Sequence, residues 1–444
     1  MRRLKFRTGM VLCLMSILPM AMLKAQDTVS VSLSKAIEIA LSESPTIKIA
    51  NKEIKRVDYS KKERLSGLFP TISGSGTYGR TLAKSKNVIT MNGQEITMEF
   101  GVDNTFSAGV SASLPIISPT LWATLKLNEY DAELALESAR SSKLSLVNQV
   151  TKAYYAILLA QDSYDVFNKS YQSSTENAKI ISDKYKQGTV SEYEWIRADV
   201  QQRNSQTNLV SAKNAVNLSK LQLKLLMGLD MYTEIKVTGK LSDFENDLYG
   251  TMLEVDTTKL TSNTDLKQLD IKTKQLKQSL NIQKTAWLPT LGASINYSQN
   301  AMGNDEVNLS DYTTYPASTV GLSLQIPIFQ GGSKHYKYKQ LQMQLSELKD
   351  QRENLKKSID LQAINCMNNM KNAIEKIASN KKALSQAEKA MLISQKRYEV
   401  GAGTYLDVTN SELAYVQAGL SYNQSIYDYL SAKSDLEKLF GSEY

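Results

Sequence analysis

The chain is poor in the residues that build metal centres and disulfide frameworks. Its 444 residues include 2 cysteines and 1 histidine, His335. A lone histidine without a cysteine partner argues against a transition-metal site. Cys13 lies in the N-terminal apolar stretch, so Cys366 is otherwise alone and no internal disulfide is expected. The nucleotide-binding pattern G-x-x-x-x-G-K and the nucleophile pattern G-x-S-x-G are also absent. We therefore expect no catalytic residue, no cofactor and no metal, and interpret the protein as a non-enzyme.

A strong excess of one charge is also missing. The formal net charge is +8, from 53 Lys and Arg against 45 Asp and Glu. Five of those basic residues and no acidic residue lie within residues 1–25, so the remainder has 48 basic residues against 45 acidic ones. This near balance does not indicate a nucleic-acid partner.

Residues 1–25 have the pattern of a secretory signal peptide. Four cations by position 7 precede an apolar stretch from Met10 to Leu23, and we expect cleavage after Ala25. A retained membrane anchor is the alternative, but the stretch is shorter than the roughly 18 to 20 residues that a span needs. No other segment is apolar enough for a transmembrane helix, so the mature chain is predicted to be periplasmic, secreted or a β-barrel in an outer membrane.

Helix-breaking residues are missing from two long tracts. Proline is absent from 120–288 and after 327, and glycine is absent from 110–187 and 333–400. Such tracts predict long helices at about 119–187 and 333–400, each on the order of 100 Å long. Glycine ends each tract, at Gly188 and Gly401. We expect return helices at about 190–227 and 404–440, which makes an elongated helical bundle or tube.

Four segments alternate apolar residues with serine, glycine, threonine or asparagine. They predict strands at about 70–80, 105–116, 289–299 and 318–329. The strands pair across the polar connections 79–104 and 299–317, which are long for hairpins. Alternating strands with long polar loops are typical of outer-membrane barrels.

The two halves of the chain repeat each other. F-P-T-I-S-G-S-G-T-Y at 69–78 aligns with L-P-T-L-G-A-S-I-N-Y at 288–297, and later proline and glycine positions match in the same order. The predicted organisation is a first repeat at 26–228, a connecting equatorial segment at 229–262 and a second repeat at 263–444. Each repeat contains a helix, two strands, a very long helix and a shorter helix.

Four strands cannot close a membrane barrel, because the smallest known barrels have eight. An open sheet would leave unpaired backbone groups in lipid. Two copies give eight strands with an interior filled by side chains, whereas three copies give twelve strands and a lumen. The predicted fold class is therefore α plus transmembrane β, assembled as a homotrimer in contact with outer-membrane lipid.

Together with the repeat, two motifs resemble those of the TolC-like outer membrane efflux proteins. They are L-P-T-L with P-I-F-Q-G-G at 327–332, and R-Y-E-V-G-A-G-T-Y-L-D-V at 397–408. The resemblance implies a trimeric 12-stranded β-barrel continued by a 12-helix periplasmic α-barrel. It implies a passive exit duct in the outer membrane for an inner-membrane transporter, joined through a periplasmic adaptor protein, with specificity residing in the pump.

The resemblance also implies a periplasmic gate. Tyr398 aligns with a gate-linking tyrosine, Glu194 with its acidic partner, and Asp407 with an aspartate of a cation-selecting ring. Asn410 stands where a second aspartate often lies, and Gly403 where an arginine can link the repeats. The alternative for Asp407 is a solvated acid near a helix N-terminus, where a negative charge is favourable.

Two further groups of residues are candidates for contacts with partners. The resemblance implies that the hairpin tips dock the adaptor, which selects Gly188, Thr189, Gly401 and Gly403. Aromatic residues next to the predicted strands predict a membrane-interface belt, or packing where the barrel meets the helices; they are Phe69, Trp122, Trp287 and Phe329.

Two other classes of protein remain as alternatives at this point. A periplasmic adaptor is an exported helical-hairpin protein without a barrel, and a coiled-coil structural protein of the cell envelope would also contain long helices. The four alternating segments argue against the adaptor, and the matched duplication argues against the coiled coil.

Overall fold

A computed structural model of the chain describes residues 29–91, 93–248, 257–304 and 312–441. The predicted signal peptide at 1–25 lies outside the described residues. The helices are α1 (Leu33–Glu43), α2 (Pro45–Ser66), α3 (Pro119–Lys186), α4 (Glu192–Met227), α5 (Thr264–Thr285), α6 (Ser333–Glu399) and α7 (Tyr405–Phe440). The strands are β1 (Val29–Val31), β2 (Thr71–Arg80), β3 (Ser85–Met91), β4 (Gln94–Phe100), β5 (Asn104–Ile117), β6 (Ile235–Val237), β7 (Thr290–Gly303) and β8 (Thr313–Gln325).

The same order of elements occurs twice, with nearly equal lengths. Helices α2 and α5 both have 22 residues, α3 and α6 have 68 and 67, and α4 and α7 both have 36. Each long helix packs against a helix about half as long, α3 against α4 and α6 against α7. At about 1.5 Å per residue, α3 and α6 are each on the order of 100 Å long.

The turns between the paired helices are built alike in both halves. Gly188 and Gly401 have φ of +73° and +78°, a left-handed conformation that costs glycine little. The residue after each glycine donates its backbone N–H to a carbonyl in the last helical turn, from Thr189 to Lys184 at 2.9 Å and from Ala402 to Arg397 at 2.8 Å. These bonds satisfy carbonyl groups at the end of the long helix, so the chain can reverse there.

A four-stranded antiparallel sheet joins the two halves of the chain. Its order is β2-β5-β7-β8, and the central pair β5 and β7 links the first half to the second. Because β2 and β8 are the outer strands and are not paired with each other, the described sheet is open at both edges.

The predicted fourth strand, at about 318–329, is present but lies a few residues earlier in the chain. Strand β8 begins earlier, at Thr313, and its pairing ends with Gln325 opposite Thr290. Pro327 has no N–H to donate to a ladder, and it restricts the residue before it, so the apolar alternation that continues to Ile328 does not continue the strand. Phe329 therefore lies beyond the strand. Strand β7 also extends further than the predicted 289–299, to Gly303.

The connection at 79–104 is not an irregular loop. It contains the antiparallel hairpin β3–β4, with Met91 opposite Gln94. The sequence between these two residues is Asn-Gly, which favours a two-residue hairpin turn. This local signal was overlooked because the connection is polar as a whole.

The segment after α4 forms a small layer on the helices, with structure that the sequence analysis did not predict. Strand β6 pairs in parallel with β1, so that Val29 lies opposite Ile235. The main hydrophobic core lies beneath this layer, where helices of both halves meet. Its fully or nearly fully buried side chains include Val31, Val150, Ile157, Leu158, Leu223, Ile377 and Ile426. Among the helices of the described residues, none combines the length and the apolar character needed to cross a membrane.

Candidate functional site

The sheet has one apolar face and one polar face. Residues paired across all four strands line up in rows, and one apolar row is Ile72, Ala112, Ile295 and Val320. The apolar face is open in the single chain: Ile72 is 71% exposed and Val320 is 77% exposed. Leu322 and Leu324 continue it along β8. An exposed apolar surface of this kind indicates contact with a membrane or with another protein.

The opposite face of the sheet carries small polar side chains. The row next to the apolar one is Ser73, Ser111, Asn296 and Thr319. Ser73 and Ser111 share a hydrogen bond between their hydroxyl oxygens at 2.8 Å. Strand geometry places neighbouring residues on opposite faces, so this face can contact water while the other contacts an apolar medium.

The four predicted belt aromatics lie at one end of the sheet, where the strands meet the helices. Phe69 precedes β2, Trp122 lies in the first turn of α3, Trp287 lies between α5 and β7, and Phe329 lies between β8 and α6. All four are exposed. The four residues therefore lie at the junction between the sheet and the helices, and their side chains are exposed in the single chain.

At the other end of the molecule, four helices meet in a small apolar cluster. Its buried members are Ile181 from α3, Ala198 from α4, Tyr398 from α6, and Tyr405 and Val408 from α7. The rings of Tyr398 and Tyr405 have centroids 5.8 Å apart. Because each helical hairpin contributes, this cluster holds the two hairpins together near their tips.

The structure places Glu194 close to Tyr398. Burial raises the pKa of Tyr398 to about 12, and the negative charge of Glu194 adds to the shift. Lys184 lies over the Tyr398 ring, with Nζ 4.5 Å from its centroid, and donates a hydrogen bond to the Tyr398 carbonyl oxygen at 2.9 Å. Residues of α3 and α4 therefore converge on one tyrosine of α6.

Asp407 performs a local task that is visible in the single chain. The Thr404 hydroxyl oxygen accepts a hydrogen bond from the Asp407 backbone N–H at 3.2 Å, and Asp407 Oδ2 accepts one from the Thr404 N–H at 3.1 Å. This reciprocal pair is the capping box that begins α7. The side chain of Thr404 is the main cause that lowers the pKa of Asp407.

The other predicted tip residues have simple surroundings. Asn410 lies one helical turn after Asp407 and is exposed. Gly188, Thr189 and Gly401 are exposed in the turns, whereas Gly403 is half-buried beside Arg397. Open space surrounds the positions where a Cβ would be at Gly188 and Gly401.

A buried carboxyl group near the tip was missed by the sequence analysis. Glu412 on α7 is 2% exposed and accepts a hydrogen bond from the Ser173 hydroxyl. Burial is the main cause that raises the pKa of Glu412, while hydrogen bonds from Ser173, Gln201 and Asn177 oppose the shift. Glu412 follows Tyr405 and Val408 at helical spacing, so an acid within an apolar stripe was the available signal.

No group that could hold a metal stands out in the described residues: they contain no cluster of three or more His, Cys, Asp or Glu side chains with suitable placement.

Three glycines at 74–79 match the spacing G-x-G-x-x-G of dinucleotide-binding sites. They lie within β2, whereas a dinucleotide site needs this pattern in the turn between a strand and a helix.

The family model of outer membrane efflux proteins matches the chain over residues 36–229 and 258–442. The chain belongs to the outer membrane efflux protein family. This confirms the resemblance inferred from the boundary motifs. The chain is thus an outer-membrane protein of an efflux family, with a long helical extension on the periplasmic side.

Curated relatives of the efflux family are similar over most of the chain. The outer membrane protein TolC of Escherichia coli (strain K12) is 22% identical over 350 residues, which cover 76% of this chain and 70% of that protein. The alkaline protease secretion protein AprF of Pseudomonas aeruginosa is 19% identical over 413 residues, covering 93% and 84%. Both names describe outer membrane or secretion proteins rather than enzymes.

Solved structures show the same fold. The Campylobacter jejuni CmeC outer membrane channel superimposes with a TM-score of 0.73 at 18% identity, over 92% of this chain and 85% of that one. The CusC structure superimposes with a TM-score of 0.73 at 14% identity, over 93% and 92%. The family assignment favours the channel over the periplasmic adaptor and the coiled-coil structural protein.

Proposed function

We propose that three copies of the chain close into a ring with a 12-stranded β-barrel in the outer membrane. The observation that carries this proposal is the two-faced sheet with open edges. Unpaired edge strands are not tolerated in lipid, so β2 of one copy pairs with β8 of the next. The apolar rows then face lipid, and the serine, asparagine and threonine rows line a wet lumen.

The helices continue this barrel as a 12-helix tunnel. Each chain contributes four of the twelve helical paths. Two are the long helices α3 and α6, and the other two are formed by pairs of shorter helices, α2 with α4 and α5 with α7. With a length on the order of 100 Å, the tunnel extends far into the periplasm.

The ring is a passive exit duct for an inner-membrane transporter, reached through a periplasmic adaptor. The names of two relatives support this role, the alkaline protease secretion protein AprF and the toxin and drug export protein A. The exposed hairpin turns with Gly188, Thr189, Gly401 and Gly403 dock the adaptor. Tyr398 and Glu194 lock the closed tip, and Asp407 and Asn410 face its opening.

The assembly is tested on the mature full-length chain, extracted in mild detergent and reconstituted into planar bilayers. We expect a particle of three copies that dissociates on heating in denaturing detergent, and stepwise ion conductance after reconstitution. A monomer that never conducts ions would contradict the proposal.

A further inference from the structure

The two repeats differ in charge where their long helices leave the sheet. The first 14 residues of α6, at 333–346, contain three lysines and no acidic residue. The equivalent residues of α3, at 119–132, contain Lys126 together with Glu129 and Asp131. The incoming helix α5 and strand β7 also lack acidic residues from 271 to 304. A duplication alone predicts equal charge at both junctions, so the basic junction needs a separate reason.

The basic junction is compact. We name it the basic collar and define it as Lys284, Lys334, Lys337 and Lys339 with Trp287 and Tyr336. Lys334 Nζ lies 5.5 Å from the centroid of the Trp287 ring and donates a hydrogen bond to the Ala286 carbonyl oxygen at 2.5 Å. Gln283 Nε2 donates to the Lys334 carbonyl oxygen at 3.1 Å. These contacts hold the end of α5 against the start of α6.

Three lysines of the collar have no carboxylate partner among the described residues. Lys284, Lys337 and Lys339 are exposed and form no ion pair there. Lys284 Nζ instead lies 5.9 Å from the Tyr338 ring centroid. Nearer the start of α5, away from the sheet, Lys274 Nζ forms an ion pair with Glu133 at 2.7 Å. Unpaired lysines also occur farther along α5 and α6, so what distinguishes the junction is that its lysines lie in segments without acidic residues, at 271–304 and 333–346.

The collar continues directly from the apolar face of the sheet. Leu324 on that face is one residue before the end of β8, and α6 begins eight residues after Gln325. Trp287 and Tyr336 are exposed beside the lysines. Amphipathic rings and long cationic side chains at the edge of an apolar band are the features that meet lipid headgroups.

We propose that the basic collar binds the phosphate groups of anionic phospholipids in the leaflet that faces the periplasm. This rests on the proposed placement of the sheet in the outer membrane. The attraction comes from several lysines acting on a negatively charged membrane surface. The rings of Trp287 and Tyr336 set the depth of the basic collar in the membrane. In a threefold ring, three basic collars alternate with three junctions of mixed charge, so anionic lipid gathers at three positions around the barrel.

The test uses quenching of Trp287 fluorescence by brominated lipid. The chain has 3 tryptophans, so Trp122→Phe and Trp195→Phe leave Trp287 as the reporter in the reconstituted full-length assembly. We expect brominated phosphatidylglycerol to compete for the site at least ~3-fold better than brominated phosphatidylcholine, with the preference weakening in high salt. The combined change of Lys284, Lys337 and Lys339 to Gln should bring the ratio to about 1.

A matched control removes three lysines from the middle of the same helix. Lys371, Lys382 and Lys389 are exposed on α6 and form no ion pair among the described residues, so their change to Gln should keep the preference. Equal quenching by both lipids in the parent assembly overturns the proposal, as does a preference that survives in the collar variant. Loss of the preference on adding inorganic phosphate at constant ionic strength assigns the site to a soluble anion instead. Absence of quenching by either lipid overturns the membrane placement of the sheet as well.

Discussion

At the start of α7, Asp407 and Glu412 show how their surroundings separate two acids on one helix. Asp407 is exposed and accepts hydrogen bonds from Thr404, which lower its pKa. Glu412 is buried, and burial raises its pKa. Hydrogen bonds to a carboxylate favour its charged form, whereas loss of water favours the neutral form. Asp407 therefore keeps its charge at the tip, and Glu412 is the group able to gain a proton.

The charge of Asp407 can be separated from its capping role by two variants. Asp407→Asn removes the charge, and we expect a reduced cation preference in reversal potentials of single channels. Thr404→Ala keeps the charge but removes half of the capping box, which should cost about 1 kcal/mol of stability. Unchanged selectivity in Asp407→Asn, or equal loss in both variants, would show that Asp407 serves the helix alone.

Glu412 predicts a pH dependence of stability with a definite sign. Below the pKa of Glu412 in the unfolded chain, near 4.5, the carboxyl group is protonated in both the folded and the unfolded state. The contribution of Glu412 to the free energy of unfolding is then fully present. As the pH rises toward the raised folded-state pKa, the unfolded carboxyl ionises more readily, so the folded state loses stability. We expect Glu412→Gln to unfold at a higher temperature than the parent near neutral pH, with a smaller difference at pH 4.

The control for Glu412 is Glu375→Gln, which changes an exposed acid on α6. That variant should follow the parent across the pH range. If Glu412→Gln is less stable than the parent at neutral pH, the ionised carboxylate is a net stabilising partner of Ser173 and its neighbours.

At the scale of elements, the long helices form because helix-breaking residues are absent, and helices pack closely where a residue is small. Without proline or glycine, α3 and α6 have no internal breakers over their 68 and 67 residues. Helix α7, in contrast, contains a glycine in its interior, Gly419. A Cβ at this position would lie 2.8 Å from Val166 Cγ2 on α3, so glycine permits the close approach of the two helices.

Gly419→Ala tests this approach. Alanine favours helix by about 1 kcal/mol over glycine, but overpacking in a tight seam costs about 1–3 kcal/mol. We expect a net loss of thermal stability, because Val166 is branched and has little room to move. Adding Val166→Ala should recover stability relative to Gly419→Ala alone. A gain of stability in Gly419→Ala by itself would mean that the helices separate without cost.

At the scale of the whole molecule, the sheet has one apolar and one polar face, which the proposed assembly turns toward lipid and toward water. The rows through Val320 and Thr319 lie on opposite faces of β8, and only the first is apolar across the four strands. In the proposed assembly, the part of the chain in the membrane is therefore recognised by the alternation of its strands.

Neighbouring residues on β8 give a matched pair for this division. Val320→Arg places a charge on the apolar face, which should cost about 2–4 kcal/mol near the middle of a bilayer and reduce the yield of assembled protein in outer-membrane fractions. Thr319→Arg should assemble normally and shift conductance toward anions. The opposite result, with Thr319→Arg blocking assembly and Val320→Arg tolerated, would reverse the orientation of the sheet.

The sequence by itself determined the long helices, the two-faced strands and the repeated order, because these depend on breakers and on periods that act over neighbouring residues. The boundary motifs also identified the family, and with it the meeting of Tyr398 and Glu194. The predicted strands did not include the end of β8 or the hairpin β3–β4, although Pro327 and the Asn-Gly pair are local signals for these features. Only the tertiary structure decided the close contact at Gly419, the side chains that surround Glu412 and the contacts that join the two helices of the basic collar. Each of these depends on which distant segments pack together, and packing between distant segments leaves no periodic trace in the chain.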